Sequence, residues 1–247
     1  MKIAILLPGQ PRFTGDFDLL LKNLKGYDQA DWFITITNHN HDKNKFKDHK
    51  NIDILESWTE FDLDWARNKI SENLPPNNTI RKIEISDGHT HQWPEVSNLY
   101  ELKEDWANII FMMYYNVYAA NQLRLEYEQE TNTIYDAVIR IRSDIGITEE
   151  FDVSKLTIEP NTIYMANNEW HGMGPYRCND QMAIGDSDSM NVYCDLVRWM
   201  KLHNDRGVSF HPETLLGFHL VEKQIKMIHG GYNIGLRKFP IDVARWS

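Results

Sequence analysis

The sequence predicts an α/β fold in which a mostly parallel sheet is flanked by helices. Short runs rich in β-branched and apolar residues alternate with stretches of helical periodicity, and this alternation is typical of parallel sheets with covering helices. The 247 residues, of which 42% are hydrophobic and 25% charged, fit one globular domain with a sizeable core. No repeat, low-complexity linker or break in composition marks a second domain, so we expect a single domain over residues 1–247.

The first half of the chain supplies the first strands of this sheet. Lys2–Leu7 and Asp31–Thr37 are apolar runs that predict two strands. Between them, the apolar side chains of Asp16–Leu24 recur at helical spacing and predict a helix. Further strands are predicted at Ile52–Glu56 and Ile80–Ile85.

The second half begins with the longest predicted helix, Glu101–Gln129. Its apolar residues recur at three- and four-residue steps, as at Trp106, Ile110 and Met113. The segment Tyr135–Ile147 then starts as a β-branched strand. The remaining predicted elements are strands at Thr162–Ala166 and Gln181–Gly185, and helices at Ser189–Leu202 and from Pro212.

Composition excludes several classes of function. The net charge of −10 argues against a broad nucleic-acid interface, which needs clustered Lys and Arg. No apolar run reaches the length of a membrane span, and the run before Pro8 is too short for a signal sequence. Cys178 and Cys194 lack the spacing of a metal site, so we expect reduced thiols and a cytoplasmic protein.

A charged tip follows the apolar strand within Tyr135–Ile147. Val138, Ile139 and Ile141 are strand residues, and Arg142-Ser143-Asp144 comes where the strand should leave the sheet. In open α/β sheets the ligand crevice lies outside the carboxyl ends of the strands. A carboxylate and an arginine placed there can hold a divalent metal and a phosphate, which is what a nucleotide-sugar donor presents.

Several motifs occur in an order that resembles GT-A-type glycosyltransferases, and above all those of lipopolysaccharide and capsule synthesis. The resemblance spans Lys2 to about Leu220. It implies a GT-A-like, Rossmann-like sheet and transfer of a sugar from a nucleotide-diphosphate sugar to a hydroxyl of a glycan or glycolipid acceptor. The motifs are Pro8-Gly9-Gln10-Pro11-Arg12, Tyr115-Asn116-x-x-Ala119, Arg140-x-Arg142-Ser143-Asp144, Asn179-Asp180-Gln181 and His211-Pro212-Glu213.

The resemblance implies a metal site at Asp144. GT-A enzymes carry an Asp-x-Asp at this strand end, whose divalent cation bridges the donor diphosphate, and Mn²⁺ or Mg²⁺ suits such oxygen ligands. Here Arg142 replaces the first acid, and arginine can neutralise phosphate by bidentate hydrogen bonds. Arg142, Ser143 and Asp144 are therefore the predicted diphosphate-binding residues, with Asp144 as the metal ligand.

The other predicted donor-binding residues lie at strand ends or on the long helix. A helix-borne amide such as Asn116, set among apolar neighbours, needs hydrogen-bond partners if it is buried. For Thr37 and Asn38, binding of base or ribose and simple turn chemistry are equally supported. The full set is Gln10, Arg12, Thr37, Asn38, Tyr115 and Asn116.

Two carboxylates are candidates for the base that deprotonates the acceptor hydroxyl. By resemblance Asp180 is favoured over Glu213, although Asp180 can also form a turn and Glu213 follows a helix-starting proline. A second Asp-x-Asp, at Asp186-Ser187-Asp188, precedes a helical pattern, so capping explains it better than metal binding. Trp93 and Trp170 lie in predicted loops, where sugar stacking and loop anchoring are both open.

Two rival functions remain. A sugar nucleotidyltransferase needs a glycine-rich loop after the first strand, whereas Leu7–Arg12 contains one glycine and two prolines. A non-catalytic nucleotide- or glycan-binding protein on a degenerate GT-A scaffold would fit the replacement of the first acid by Arg142.

Overall fold

A computed structural model gives the fold of most of the chain. It describes residues 1–9, 20–37, 63–72, 74–86, 91–97, 104–142, 146–147, 150–166, 176, 178–229 and 236–237. The strands are β1 (Lys2–Gly9), β2 (Leu24–Lys25), β3 (Gln29–Thr37), β4 (Asn78–Ser86), β5 (Ala137–Ile141), β6 (Gly146–Ile147), β7 (Phe151–Asp152), β8 (Thr162–Met165), β9 (Met182–Gly185), β10 (Lys226–His229) and β11 (Leu236–Arg237). The α-helices are α1 (Leu63–Ser71), α2 (Glu104–Thr131), α3 (Ser187–Cys194), α4 (Met200–Asp205) and α5 (Pro212–Glu222).

A seven-stranded sheet in the order β10-β8-β9-β5-β1-β3-β4 forms the centre of the fold. All neighbouring strands pair in parallel except β9, which runs antiparallel to both β5 and β8. Two small sheets join β2 to β7 and β6 to β11. The predicted α/β class with a mostly parallel sheet is confirmed.

Helices cover both faces of the sheet, which explains why the central strands are mostly apolar. On one face Leu6 and Val138 pack with α2, α3 and α5. On the other face Ile5 and Ile139 pack with Ile70 of α1. The core therefore lies in two layers, one on each side of the sheet.

Most predicted elements agree with the structure to within a few residues. The strands at Lys2–Leu7, Asp31–Thr37 and Ile80–Ile85 are confirmed as β1, β3 and β4, and the long helix is α2. The strand predicted at Ile52–Glu56 lies outside the described residues. Residues 20–23 are helical, whereas Leu24 belongs to strand β2 rather than to the predicted helix.

The single helix predicted at Ser189–Leu202 is wrong, because the segment is divided. Helix α3 ends at Cys194, a 3₁₀ turn covers Asp195–Arg198, and α4 starts at Met200. Trp199 donates its backbone N–H to the Leu196 carbonyl at 2.8 Å and its indole N–H to Asp195 Oδ2 at 2.9 Å. The backbone bond joins residues three apart, as in a 3₁₀ helix, whereas an α-helix joins residues four apart. None of the described helices has the length and apolar character needed to cross a membrane.

Candidate functional site

The strand order defines where a ligand crevice should lie. The chain runs from β1 to β3 and β4 on one side and then returns to β5 on the other side of β1. In such sheets ligands bind outside the carboxyl ends of the strands, at the point where the order reverses. That point lies between the end of β1 at Gly9 and the end of β5 at Ile141. Gly9, the last residue of β1, has φ +107°, a conformation that favours glycine.

Thr37 and Asn116, both predicted to bind the donor, meet at this edge. Asn116 on α2 donates its amide to Thr37 Oγ1 at 2.8 Å and to the Met112 carbonyl at 2.7 Å. Because a carbonyl only accepts, the amide orientation is fixed. The Asn116 amide oxygen is buried and has no hydrogen-bond partner among the described residues. The pair therefore presents one open acceptor near the end of β3.

Tyr115 faces a different set of side chains. Its ring lies 4.5 Å from that of His91 and 5.7 Å from that of Trp93, measured between centroids. Trp93 in turn stacks on Phe111 at 5.2 Å and 2° and on His91 at 5.2 Å and 15°. The Trp93 ring thus packs against protein side chains, which supports the loop-anchor interpretation over sugar stacking. Tyr115 joins this aromatic group rather than the Thr37–Asn116 pair.

The antiparallel direction of β9 brings Asp180 to the same edge. Met182, the first residue of β9, pairs with Ile141, the last residue of β5. Asn179 Oδ1 accepts a hydrogen bond from the Gln181 N–H at 2.7 Å, so Asn179 forms the turn that the sequence allowed for Asp180. The Asp180 carboxylate is consequently not needed for the turn. Asp180 is only 5% exposed.

Asp180 and Glu213, the two candidate bases, belong to one group of ionisable side chains. Tyr193 donates its hydroxyl to the Asp180 carbonyl at 3.4 Å, and the Cys178 thiol donates to the Glu213 carbonyl at 3.0 Å. Tyr114 of α2 completes the group, which we name the buried acid cluster, by donating its hydroxyl to the Pro212 carbonyl at 2.9 Å. These contacts bring together the chain segments that carry the two candidate bases.

A close backbone approach holds the cluster in place. A Cβ on residue 217 of α5 would lie only 2.0 Å from the Tyr176 carbonyl oxygen. Glycine at this position therefore lets the segment that leads to Cys178 pack directly on α5. Glu213 lies in the first turn of that helix, where a carboxylate interacts favourably with the helix dipole, and its Oε2 is 3.2 Å from His211 Nδ1.

Burial decides the protonation of the neutral members of the cluster. Burial raises the pKa of Tyr114 and of Cys178 well above the usual values, and the Asp180 and Glu213 carboxylates raise both further. Burial also raises the pKa of Tyr193, an effect that Arg140 opposes and Asp180 reinforces. The two phenols and the thiol therefore stay protonated at neutral pH.

Arg142 also lies at this edge, whereas several other predicted residues are not described. Arg142 is half-buried, and its backbone N–H donates to the Gln181 carbonyl at 3.3 Å. The other diphosphate- and donor-binding candidates, Gln10, Arg12, Asn38, Ser143 and Asp144, lie outside the described residues. Within the described part of the chain, no group of three His, Cys, Asp or Glu side chains could hold a metal ion.

Sequence reasoning missed Arg140 and the partners of the two candidate bases. Arg140 is buried in β5 between Ile139 and Ile141, and an arginine inside an otherwise apolar strand was the available signal. Tyr114, Cys178 and Tyr193 gave no such signal, because aromatic residues and cysteine are common in cores.

The chain was compared with known proteins. No protein-family model matches it. A search of curated proteins found no match either.

Proposed function

We propose that the protein is a GT-A-type glycosyltransferase that moves a sugar from a nucleotide-diphosphate sugar to an acceptor hydroxyl in glycan or polysaccharide synthesis. The observation that supports this most is the convergence of donor and acceptor candidates at one edge of the sheet. Helix α2 reaches both sides of that edge: Asn116 contacts Thr37, and Tyr114 contacts the start of α5. A ligand held at the switch point would therefore meet both groups.

In this proposal the donor's nucleotide lies toward β3 and the leaving diphosphate lies toward the end of β5. The open acceptor of Asn116 suits a base or ribose donor group. Arg142 neutralises the charge that develops on the departing diphosphate, because a guanidinium matches phosphate oxygens in bidentate geometry. Mn²⁺ or Mg²⁺ is assigned to Asp144 and would supply further neutralisation of the same charge.

The acceptor approaches from the side of the buried acid cluster. Asp180 takes the proton of the acceptor hydroxyl, with Glu213 as the second candidate for this role. The neighbouring Tyr114, Tyr193 and Cys178 stay protonated, so a proton accepted by Asp180 is not diverted to them. The low exposure of Asp180 also keeps competing water away from the reacting atoms.

The proposal is tested by the melting temperature of the protein with a panel of UDP-, GDP-, CMP- and dTDP-sugars, each with Mn²⁺. A ligand that binds only the folded state at about 100 times its Kd stabilises it by about 2.7 kcal/mol, or about 5–10 °C for a chain of this size. We expect one nucleotide class to give this rise. If no member of the panel raises the melting temperature, donor binding is contradicted.

A further inference from the structure

Arg140 is a buried cation whose hydrogen-bonding groups are left open. It is the penultimate residue of β5, level with Leu6 of β1 and Ala183 of β9. Its side chain is 1% exposed, and neither Nε nor Nη1 has a hydrogen-bond partner among the described residues. A buried guanidinium with unsatisfied donors destabilises the folded state. Such a side chain needs a partner.

Among the described residues, one further arginine is fully buried, and it shows the contrast. Arg124 of α2 is 0% exposed, and its guanidinium donates to Asn121, Glu128, Ser187 and Asn191. These contacts tie α2 to α3 and satisfy the charge locally. The fold thus provides partners for one buried arginine and leaves donors of the other unused, so a packing role accounts for Arg124 but not for Arg140.

Arg140 lies against the buried acid cluster. Leu6, Val138 and Ala183 belong to the core on the α2 side of the sheet, and the alternation of side chains along β5 places Arg140 on that same side. The charge of Arg140 opposes the rise in the pKa of Tyr193. The Tyr193 hydroxyl in turn donates to the Asp180 carbonyl. The open guanidinium therefore lies beneath the part of the carboxyl edge where the candidate bases meet.

A second arginine follows on the same side of the chain. The backbone pairing of β5 with β9 continues to Arg142, whose N–H donates to the Gln181 carbonyl. Residues two apart along a strand point to the same face, with their Cα atoms roughly 7 Å apart. Arg140 and Arg142 therefore form a pair, with Arg142 nearer the edge and Arg140 deeper in the fold.

We propose that Arg140 is the inner binding residue of an oxyanion subsite that takes a phosphoryl or carboxylate group of the ligand. The planar guanidinium offers parallel N–H groups that match the oxygens of either anion. An anion bound there would satisfy the open donors and balance the charge, which explains why the side chain remains in an apolar strand. The identity of the natural anion, a donor diphosphate, rests on the proposed function, whereas the subsite itself does not.

The test compares Arg140→Met with wild type by melting temperature and by titration with sodium diphosphate, phosphate and acetate, with chloride to match ionic strength. In chloride alone we expect the Arg140→Met melting temperature to equal or exceed that of wild type, because an unpaired buried charge is removed. We expect the Kd for the preferred oxyanion to rise about tenfold or more. Diphosphate or phosphate as the preferred probe indicates a phosphoryl subsite, and acetate indicates a carboxylate subsite.

Two control variants separate binding from packing. Arg124→Met removes a buried arginine with partners, so its melting temperature should fall while oxyanion binding persists. Arg198→Met removes one exposed positive charge and should change neither quantity. If Arg140→Met does not fold, Arg140→Gln serves in its place with the same expected loss of binding.

The inference is overturned if wild type binds none of the three anions, or if Arg140→Met binds them as wild type does. It is also overturned if Arg140→Met is destabilised as strongly as Arg124→Met without a loss of anion binding. Arg140-dependent binding of an anion without binding of any nucleotide sugar would keep the subsite and remove the proposed function. Nucleotide-sugar binding that is unchanged in Arg140→Met would keep the proposed function and remove the subsite.

Discussion

At the scale of single residues, the buried acids differ between the two edges of the sheet. Asp31, near the amino end of β3, accepts hydrogen bonds from Arg81 Nε at 2.7 Å, Tyr135 at 2.9 Å and Gln29 at 3.0 Å, with Lys2 Nζ at 3.4 Å. Asp180, at the opposite edge, has no comparable set of partners among the described residues. A fully satisfied polar network stabilises one structure. Asp31 therefore serves the fold, whereas Asp180 is left free for the proposed role as the base.

Asp31→Asn should destabilise the protein without altering the site. The amide keeps the shape but removes the charge that Arg81 and Lys2 share, and breaking a buried pair costs about 3 kcal/mol. Urea unfolding measures this loss. Asp28→Asn is the matched control, since the Asp28 side chain is 89% exposed and pairs with the N-terminus. A similar, small effect of both substitutions would contradict the structural role of Asp31.

Asp180→Asn should lower kcat far more than it weakens donor binding. The amide has the shape of the carboxylate but cannot accept the acceptor's proton, and loss of a general base typically costs 10²–10⁴-fold in rate. The measurement is steady-state transfer with wild type, Asp180→Asn and Glu213→Gln. If Glu213→Gln loses kcat and Asp180→Asn retains it, the base is Glu213 and the assignment to Asp180 is wrong.

At the scale of elements, two buried histidines join α4 to α5. His203 Nε2 lies 3.0 Å from His219 Nδ1, and His219 Nε2 lies 3.0 Å from the Val192 carbonyl oxygen. Because a carbonyl only accepts, His219 carries its proton on Nε2 and accepts from His203 through Nδ1. Burial, reinforced by His203, lowers the pKa of His219 to about 4. The packing of α4 on α5 therefore needs neutral His219.

This packing predicts a loss of stability in mild acid. The unfolded histidine binds a proton below about pH 6.5, whereas the folded one stays neutral until about pH 4, so stability falls as the pH decreases across that window. Between pH 7 and pH 5 we expect a loss of about 2 kcal/mol from this group, measured by urea unfolding. His219→Gln should remove that part of the pH dependence, whereas His91→Gln, an exposed control, should keep it. An unchanged slope in His219→Gln would contradict the account.

The elements that the sequence predicts well are those whose burial follows directly from a run of apolar residues. β1, β3 and β5 are covered on both faces, so each is a mostly apolar run that can be recognised without knowledge of the neighbouring strands. The break between α3 and α4 depends on a side-chain contact, Trp199 to Asp195, that helical periodicity does not record. The sequence pattern of β9 also does not predict whether the strand pairs in parallel or antiparallel, because an alternating or apolar run is compatible with either direction.

At the scale of the whole molecule, chain order explains why part of the site was predictable. Carboxyl ends of parallel strands share one edge, so the ends of β3 and β5 could be assigned to a site before their separation was known. Asp180 reached that edge only because β9 is antiparallel, and Glu213 joined it only because Gly217 lets the Tyr176 segment approach α5. Arg140 is part of a motif, but that its Nε and Nη1 have no hydrogen-bond partner among the described residues could be learned only from the structure.

The most direct test of the proposed function is release of nucleoside diphosphate from the donor identified by the panel. Wild type with Mn²⁺ and an acceptor should release it above the rate in buffer, and excess EDTA should slow it if Asp144 holds a cation. Arg142→Lys should raise the donor KM, because an ammonium cannot reproduce the planar fork. Donor binding without any release, in wild type and with every acceptor tried, would contradict a transferase and identify a binding protein instead.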